Sequence, residues 1–185
     1  MTTAAPALSQ LTGSYTLDPS HTRIGFVARH AMVTKVRGAF NDFEGRAVLY
    51  GDDPSRSSAS VTIQVASIDT RSPQRDEHLR SNDFLAIDEF PTIDFVSSAA
   101  RQAGEGFELD GDLTVRGVTR PVTIPFTFEG SATDVYGNLR VGFEGSVIIS
   151  RKDFGVTWNA ALETGGVMVS DKIVLEFEVS AIKDA

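Results

Sequence analysis

The sequence predicts an all-β domain built on one antiparallel sheet of about eight strands. Three observations carry this. Apolar residues recur at every second position through most of the chain, with charge confined to the other face. Short clusters of Gly, Pro, Asp, Asn and Ser separate these runs. One stretch, 67–84, breaks the alternation and reads instead as a polar interlude with a helical turn near residues 74–80. A sheet of this size either packs as a sandwich or closes into a barrel, and periodicity is compatible with both.

In chain order, residues 1–13 read as a flexible tail rich in Ala and Thr, and 14–185 as one domain. Order begins at 14–17, and Asp18-Pro19-Ser20 is a turn. The next strand, 24–30, sets Ile24, Phe26, Ala28 and His30 on one face. A longer one follows over 40–50, and a third over 59–68 with Val61, Ile63 and Val65 in one row. After the interlude, 92–97 is a short strand. Phe107, Leu109, Leu113 and Val115 then share a face, as do Val122, Ile124, Phe126 and Phe128. Pro125 removes a ladder donor and marks an edge, bulge or seam. Tyr136-Gly137-Asn138 signals a hairpin into 139–150, where Leu139, Val141, Phe143, Val147 and Ile149 form the apolar row. The strand 172–180 points Ile173, Leu175, Phe177 and Val179 inward, with Glu176 and Glu178 outward.

The chain of 185 residues carries a net charge of −8, which opposes phosphate backbones and excludes nucleic acid as the expected partner. Without cysteine there are no disulfides, thiol chemistry or thiolate metal sites. The N-terminus shows neither a basic region nor an unbroken apolar run, so a cytoplasmic location is expected. No segment is apolar over the roughly 20 residues a transmembrane helix needs. A homodimer is an open assembly state.

Catalytic signatures are missing from the sequence: no G-x-S-x-G, P-loop, G-x-G-x-x-G or H-E-x-x-H occurs. His21, His30 and His78 show no metal-ligand spacing, so no metal and no covalent cofactor are expected. Phenylalanine is prominent, at 12 against 3 Tyr and 1 Trp. These rings either pack a solid core or line a dry lumen. For a lumen, Phe26, Phe126, Phe128, Phe143 and Phe177 are the candidates, each on an inward row. In the interlude, Arg75 and His78 lie three apart and share a helical face, with Asp76 beside them. They either form a solvated turn or, with His30, serve as lid and head-group contacts over an opening.

Several blocks resemble the YceI-like family of polyisoprenoid-binding, lipocalin-like proteins. They are Asp18-Pro19-Ser20-His21-Thr22 leading to Phe26-Val27-Ala28-Arg29-His30, Gly38-Ala39-Phe40-Asn41-Asp42-Phe43-Glu44-Gly45, and Ser67-Ile68-Asp69-Thr70. Arg75-Asp76-Glu77-His78-Leu79, Ser81-Asn82-Asp83-Phe84, Gly111 to Thr119, Ser150 to Gly155 and Val169 to Ile173 follow in the same order. The resemblance spans about residues 15–179 and implies an eight-stranded lipocalin-like barrel whose apolar pore takes a long-chain isoprenoid, a quinone-like or fatty lipid. Many members are exported, whereas no leader is visible here. The function this implies is a lipid carrier, buffer or stress-related binding protein. The alternatives are an enzyme on the isoprenoid chain using His30 or His78, and a barrel packed shut.

Overall fold

The computed structural model describes residues 7–185. The ring begins with β1 (Gly13–Leu17), β4 (Phe43–Leu49), β5 (Ser58–Gln64) and β7 (Thr92–Ala103). It continues through β8 (Gly106–Val115), β9 (Val118–Thr133), β10 (Leu139–Ser150) and β11 (Lys172–Lys183). Each pairs antiparallel with the next, and Leu17↔Ala181 joins β11 back to β1, closing an eight-stranded barrel.

Three further strands complete the wall. β2 (Arg23–His30), β3 (Thr34–Phe40) and β6 (Ile68–Asp69) continue the lines of β1, β4 and β5. Along β11, for example, β1 occupies Ala181–Lys183 and β2 occupies Val174–Glu178. The interruptions at 18–22, 41–42 and 65–67 lie side by side, bridged by Asn41 N–H to Ser67 O and Gln64 N–H to Asp42 O. Eight staves therefore contain eleven strand segments, and the β1–β11 pairing closes the ring, leaving the two-residue β6 paired on one side only.

The alternating rows set the faces. Phe107, Leu109, Leu113 and Val115 point inward on β8, and Val122, Ile124, Phe126 and Phe128 on β9. Arg116-Gly117 joins these strands with φ values of 50° and 71°, the left-handed pair that a two-residue hairpin of matching twist requires. The β9–β10 ladder stops at Phe126↔Gly145, next to Pro125, which lacks the N–H to extend it. From there β9 and the last turn of β10 part, leaving a seam closed by the 3-10 turn Arg151–Phe154, whose Asp153 carbonyl accepts from Arg120 Nε at 3.0 Å.

The helix α1 (Pro73–Arg80) begins where the sequence places it. Ser72 is its N-cap, accepting from Arg75 N–H, and Pro73 occupies the first turn, where no N–H is needed.

Several boundaries differ from expectation. The 40–50 and 59–68 runs are each split by an interruption, while the 92–97 and 122–129 strands extend to Thr92–Ala103 and Val118–Thr133. β3 has no counterpart in the sequence reading, because its inward row is short, with only Val36 and Phe40 on either side of Gly38, while Lys35 and Arg37 take the other face. Of the expected tail, residues 1–6 lie outside the described residues. Leu8–Leu11 is a 3-10 turn that buries Leu11, and the Tyr15 hydroxyl donates to the Leu11 carbonyl at 2.8 Å.

Where β1 gives way to β2, Arg140 is clamped between two carboxylates, donating to Asp18 at 2.6 Å and to Asp134 at 2.7 Å. Hydrogen bonding to this guanidinium holds Asp18 far below the usual carboxylate range and pulls Asp134 down to about 2. Both pKa values are depressed by folding, so their stabilisation is complete above about pH 4 and is lost as pH falls toward about 2. Urea unfolding at neutral and acid pH should therefore show a steep acid loss in the parent and a shallower one in Arg140→Gln. Parallel pH profiles would rule out this clamp as the source.

Candidate functional site

The barrel encloses a cavity of about 600 Å³ running along its axis. Its wall is almost wholly apolar and draws on every stave of the ring. All five phenylalanines singled out from the sequence line it: Phe26, Phe126, Phe128, Phe143 and Phe177. They meet in tilted pairs, Phe128 with Phe143 at 5.3 Å and Phe126 with Phe177 at 6.0 Å between centroids, while Phe26 pairs with Phe40 at 5.7 Å. The rings therefore pack on one another along the wall and leave the axis open, so the lumen is not filled by its own side chains.

Glycines opposite the rings make this packing possible. A Cβ on Gly38 would lie 2.3 Å from the Phe26 ring, and one on Gly145 would lie 2.6 Å from the Phe126 ring. Gly38→Ala should cost on the order of 1–3 kcal/mol, the usual range for overpacking. Pairing it with Phe26→Leu should recover much of that loss; additive losses in the double variant would exclude the clash as the cause.

One end of the lumen is sealed. Leu79 from α1, with Phe84 and Leu85 after it, meets Phe154, Val156 and Val169 from the 151–171 segment. The lining residues that are exposed, namely Leu8, Asp52, Ser58 and Gln102, all belong to the opposite end, where the cavity opens.

This geometry relocates the expected lid. Arg75, Asp76, His78 and His30 do not line the cavity, and α1 lies at its sealed end. Arg75 spends its fork on Thr70, with Nε to Oγ1 at 2.8 Å and a terminal nitrogen to the carbonyl at 2.7 Å. Asp76 is buried and accepts from the Thr70 N–H and hydroxyl. Together they tie α1 to β6 at the turn before it. His78 is bound to Asp83 at 2.8 Å and stands edge-on to Phe84 and Trp158, packing the outside of the seal. His30 continues the inward row of β2 beyond the last β11 pair, is exposed, and bridges to Val169. No group of three or more acidic or histidine side chains converges in metal-binding geometry among the described residues.

Sequence reasoning missed Arg151, the one cation in the cavity wall among the described residues. It is 5% exposed and donates to four carbonyls: Ser170 at 2.9 Å, Val156 at 2.9 Å, Trp158 at 2.8 Å and Val169 at 3.4 Å. Burial pushes its pKa down, and Asp171, 3.8 Å away, pushes back. A signal was present, since Arg151 continues the inward row of Val147 and Ile149. Its chemistry is that of a clamp: it holds the 156–170 segment across the barrel end and spends four of its five N–H groups on backbone carbonyls.

Among known proteins, the UPF0312 protein of Pseudomonas paraeruginosa is 38% identical over 148 residues, covering 79% of this chain and 78% of that protein. A UPF0312 protein of Serratia proteamaculans is 38% identical over 151 residues, covering 80% and 79%. The crystal structure of BcnA from Burkholderia cenocepacia superposes with a TM-score of 0.78 at 25% identity, covering 89% of this chain and 98% of that one. A polyisoprenoid-binding domain from Saccharophagus degradans has the same fold, with a TM-score of 0.68 at 12% identity over 92% and 98%. The model of the YceI-like domain matches residues 15–181, and the chain belongs to the YceI-like family.

Proposed function

We propose that this protein binds the chain of a long apolar amphiphile, a polyisoprenoid or a similar lipid, in its lumen and acts as a non-enzymatic carrier or buffer. The observation that carries this reading is the open, apolar cavity of about 600 Å³, closed at one end and wet only at the other. Each methylene moved from water into such a space gains about 0.8 kcal/mol, so a flexible chain is held without a specific polar contact. The family membership and the fold shared with a domain described as polyisoprenoid-binding support the same reading. The enzymatic alternative is not favoured by the geometry, because His30 and His78 stand outside the lumen.

Organic extraction of freshly purified protein followed by mass spectrometry tests the proposal. The expected result is a stoichiometric long-chain lipid that disappears when the lumen is filled by substitution. Protein that is free of lipid and takes none up from a saturating dispersion would refute it.

A further inference from the structure

We infer that the β2–β3 hairpin is a docking finger for the surface of an anionic lipid bilayer. Between Asp18 and Asp42 this acidic chain carries no acidic residue, and Arg23, Arg29, Lys35 and Arg37 all fall within that stretch. Arg29 and Lys35 stand directly opposite one another across the hairpin. Like charges in that position are destabilising, so the pair is tolerated at a cost that an anionic surface would relieve. Both are exposed and unpaired among the described residues, whereas Arg23 and Arg37 share Glu176 at 3.6 and 3.7 Å.

The tip adds an apolar component. Met32 is 55% exposed and Val33 78%, although neither is screened by a neighbouring strand. Ala31 and Met32 both adopt positive φ, at 51° and 60°, without being glycine. Such strain persists where the surroundings enforce it and is concentrated at functional positions. The Ala31 N–H is anchored to the Met168 carbonyl at 2.8 Å, which holds the turn in place beside Val167, also exposed. The hairpin projects, because β11 pairs with β2 only as far as Val27, and β6 pairs with β3 only at Ala39 and Phe40.

A narrow finger with two or three apolar side chains at its end and cations on its stem suits a head-group layer, where apolar tips insert and bases meet phosphates. A protein partner would ordinarily require a broad face, about 800 Å² per side. The acids on the strands flanking the hairpin are Glu176, already shared, and Glu178 on β11, and Asp69 on β6, which accepts from the Arg71 N–H at 2.8 Å. All three sit beside its base, at Gly25, Arg23 and Ala39, rather than at the Arg29–Lys35 pair. The net charge of −8 does not prevent docking, because beyond about 8 Å it is screened at physiological salt.

The finger stands at the sealed end of the barrel, so docking and lumen filling can be measured separately. Cosedimentation of the full chain with phosphatidylcholine vesicles, with or without phosphatidylglycerol, is the test. Binding is expected only to the anionic vesicles and should weaken with added salt. Lys35→Gln should weaken it about fivefold and Arg29→Gln with Lys35→Gln roughly twenty-five-fold, at about a factor of five per base. M32S/V33S should weaken it as well. V135S/Y136S, on a still more exposed hairpin at the other end, should bind as the parent does. Failure of the parent to bind anionic vesicles, or parental binding by the finger variants, overturns the inference. Binding to soluble polyglutamate through the same residues, without vesicle binding, overturns it in favour of an acidic protein. Absence of extractable lipid bears only on the lumen.

Discussion

Lengthening a saturated amphiphile by eight methylenes is expected to tighten its binding by about 6 kcal/mol, on the order of ten-thousand-fold, until the lumen is full. The wall that dictates this is the row of Phe26, Phe126, Phe128, Phe143 and Phe177 with the aliphatic residues between them. Two small side chains face the lumen side by side in that wall, the cross-strand pair Ala47↔Ala59 on β4 and β5. Replacing both with leucine adds six carbon atoms to the lumen. The affinity plateau should then arrive at chains shorter by roughly six methylenes, with the slope below it unchanged. Isothermal titration across a homologous series reads both quantities. A slope near zero in the parent would mean that the chain lies elsewhere, and an unmoved plateau in A47L/A59L would mean that it passes by another wall.

Arg151→Met should destabilise the protein by on the order of 4 kcal/mol. Methionine fills a similar volume, so the loss comes from the four carbonyls of Val156, Trp158, Val169 and Ser170 that the guanidinium now satisfies. A buried acceptor left without its donor costs about 1–3 kcal/mol, and some of the four would regain water as the segment loosens. Urea denaturation measures the total. Amide exchange should also accelerate along 156–170 more than in β7 or β8. A loss under about 1 kcal/mol, or uniform acceleration, would show that the segment holds itself in place.

The staves were legible because alternation is a local property. Inward rows on β8, β9 and β11 follow from residues two apart, and the seam follows from the missing N–H of Pro125. The helical turn was legible from the run after Pro73, which holds no glycine or β-branched residue, whereas the Ser72 cap was seen only in the fold. Which end of the barrel α1 covers was not, because that depends on how eight strands close. Arg75 therefore looked like a head-group fork, although Thr70, five residues away, takes both of its directed bonds. β3 escaped because its partner is the acid-free strand beside it, so Lys35 and Arg37 stand on a solvent face of a hairpin whose inward row is short. The 151–171 segment carries little regular structure, and its order rests on Arg151 and on Asn159, whose amide bonds Val169, contacts made across 5 to 19 residues that no periodicity reports.

The interruptions at 18–22, 41–42 and 65–67 divide the barrel into two mechanical sectors. The strands β7 to β11 are each continuous, with one seam where the β9–β10 ladder stops, while the three adjoining staves are interrupted together and share a crease at one level. Bending concentrates where ladder bonds are fewest, so the crease and the β9–β10 seam are the two places at which the bore has freedom to widen or narrow. On the lipid-binding reading proposed above, the crease and the seam are therefore where the wall would yield to guests of different girth.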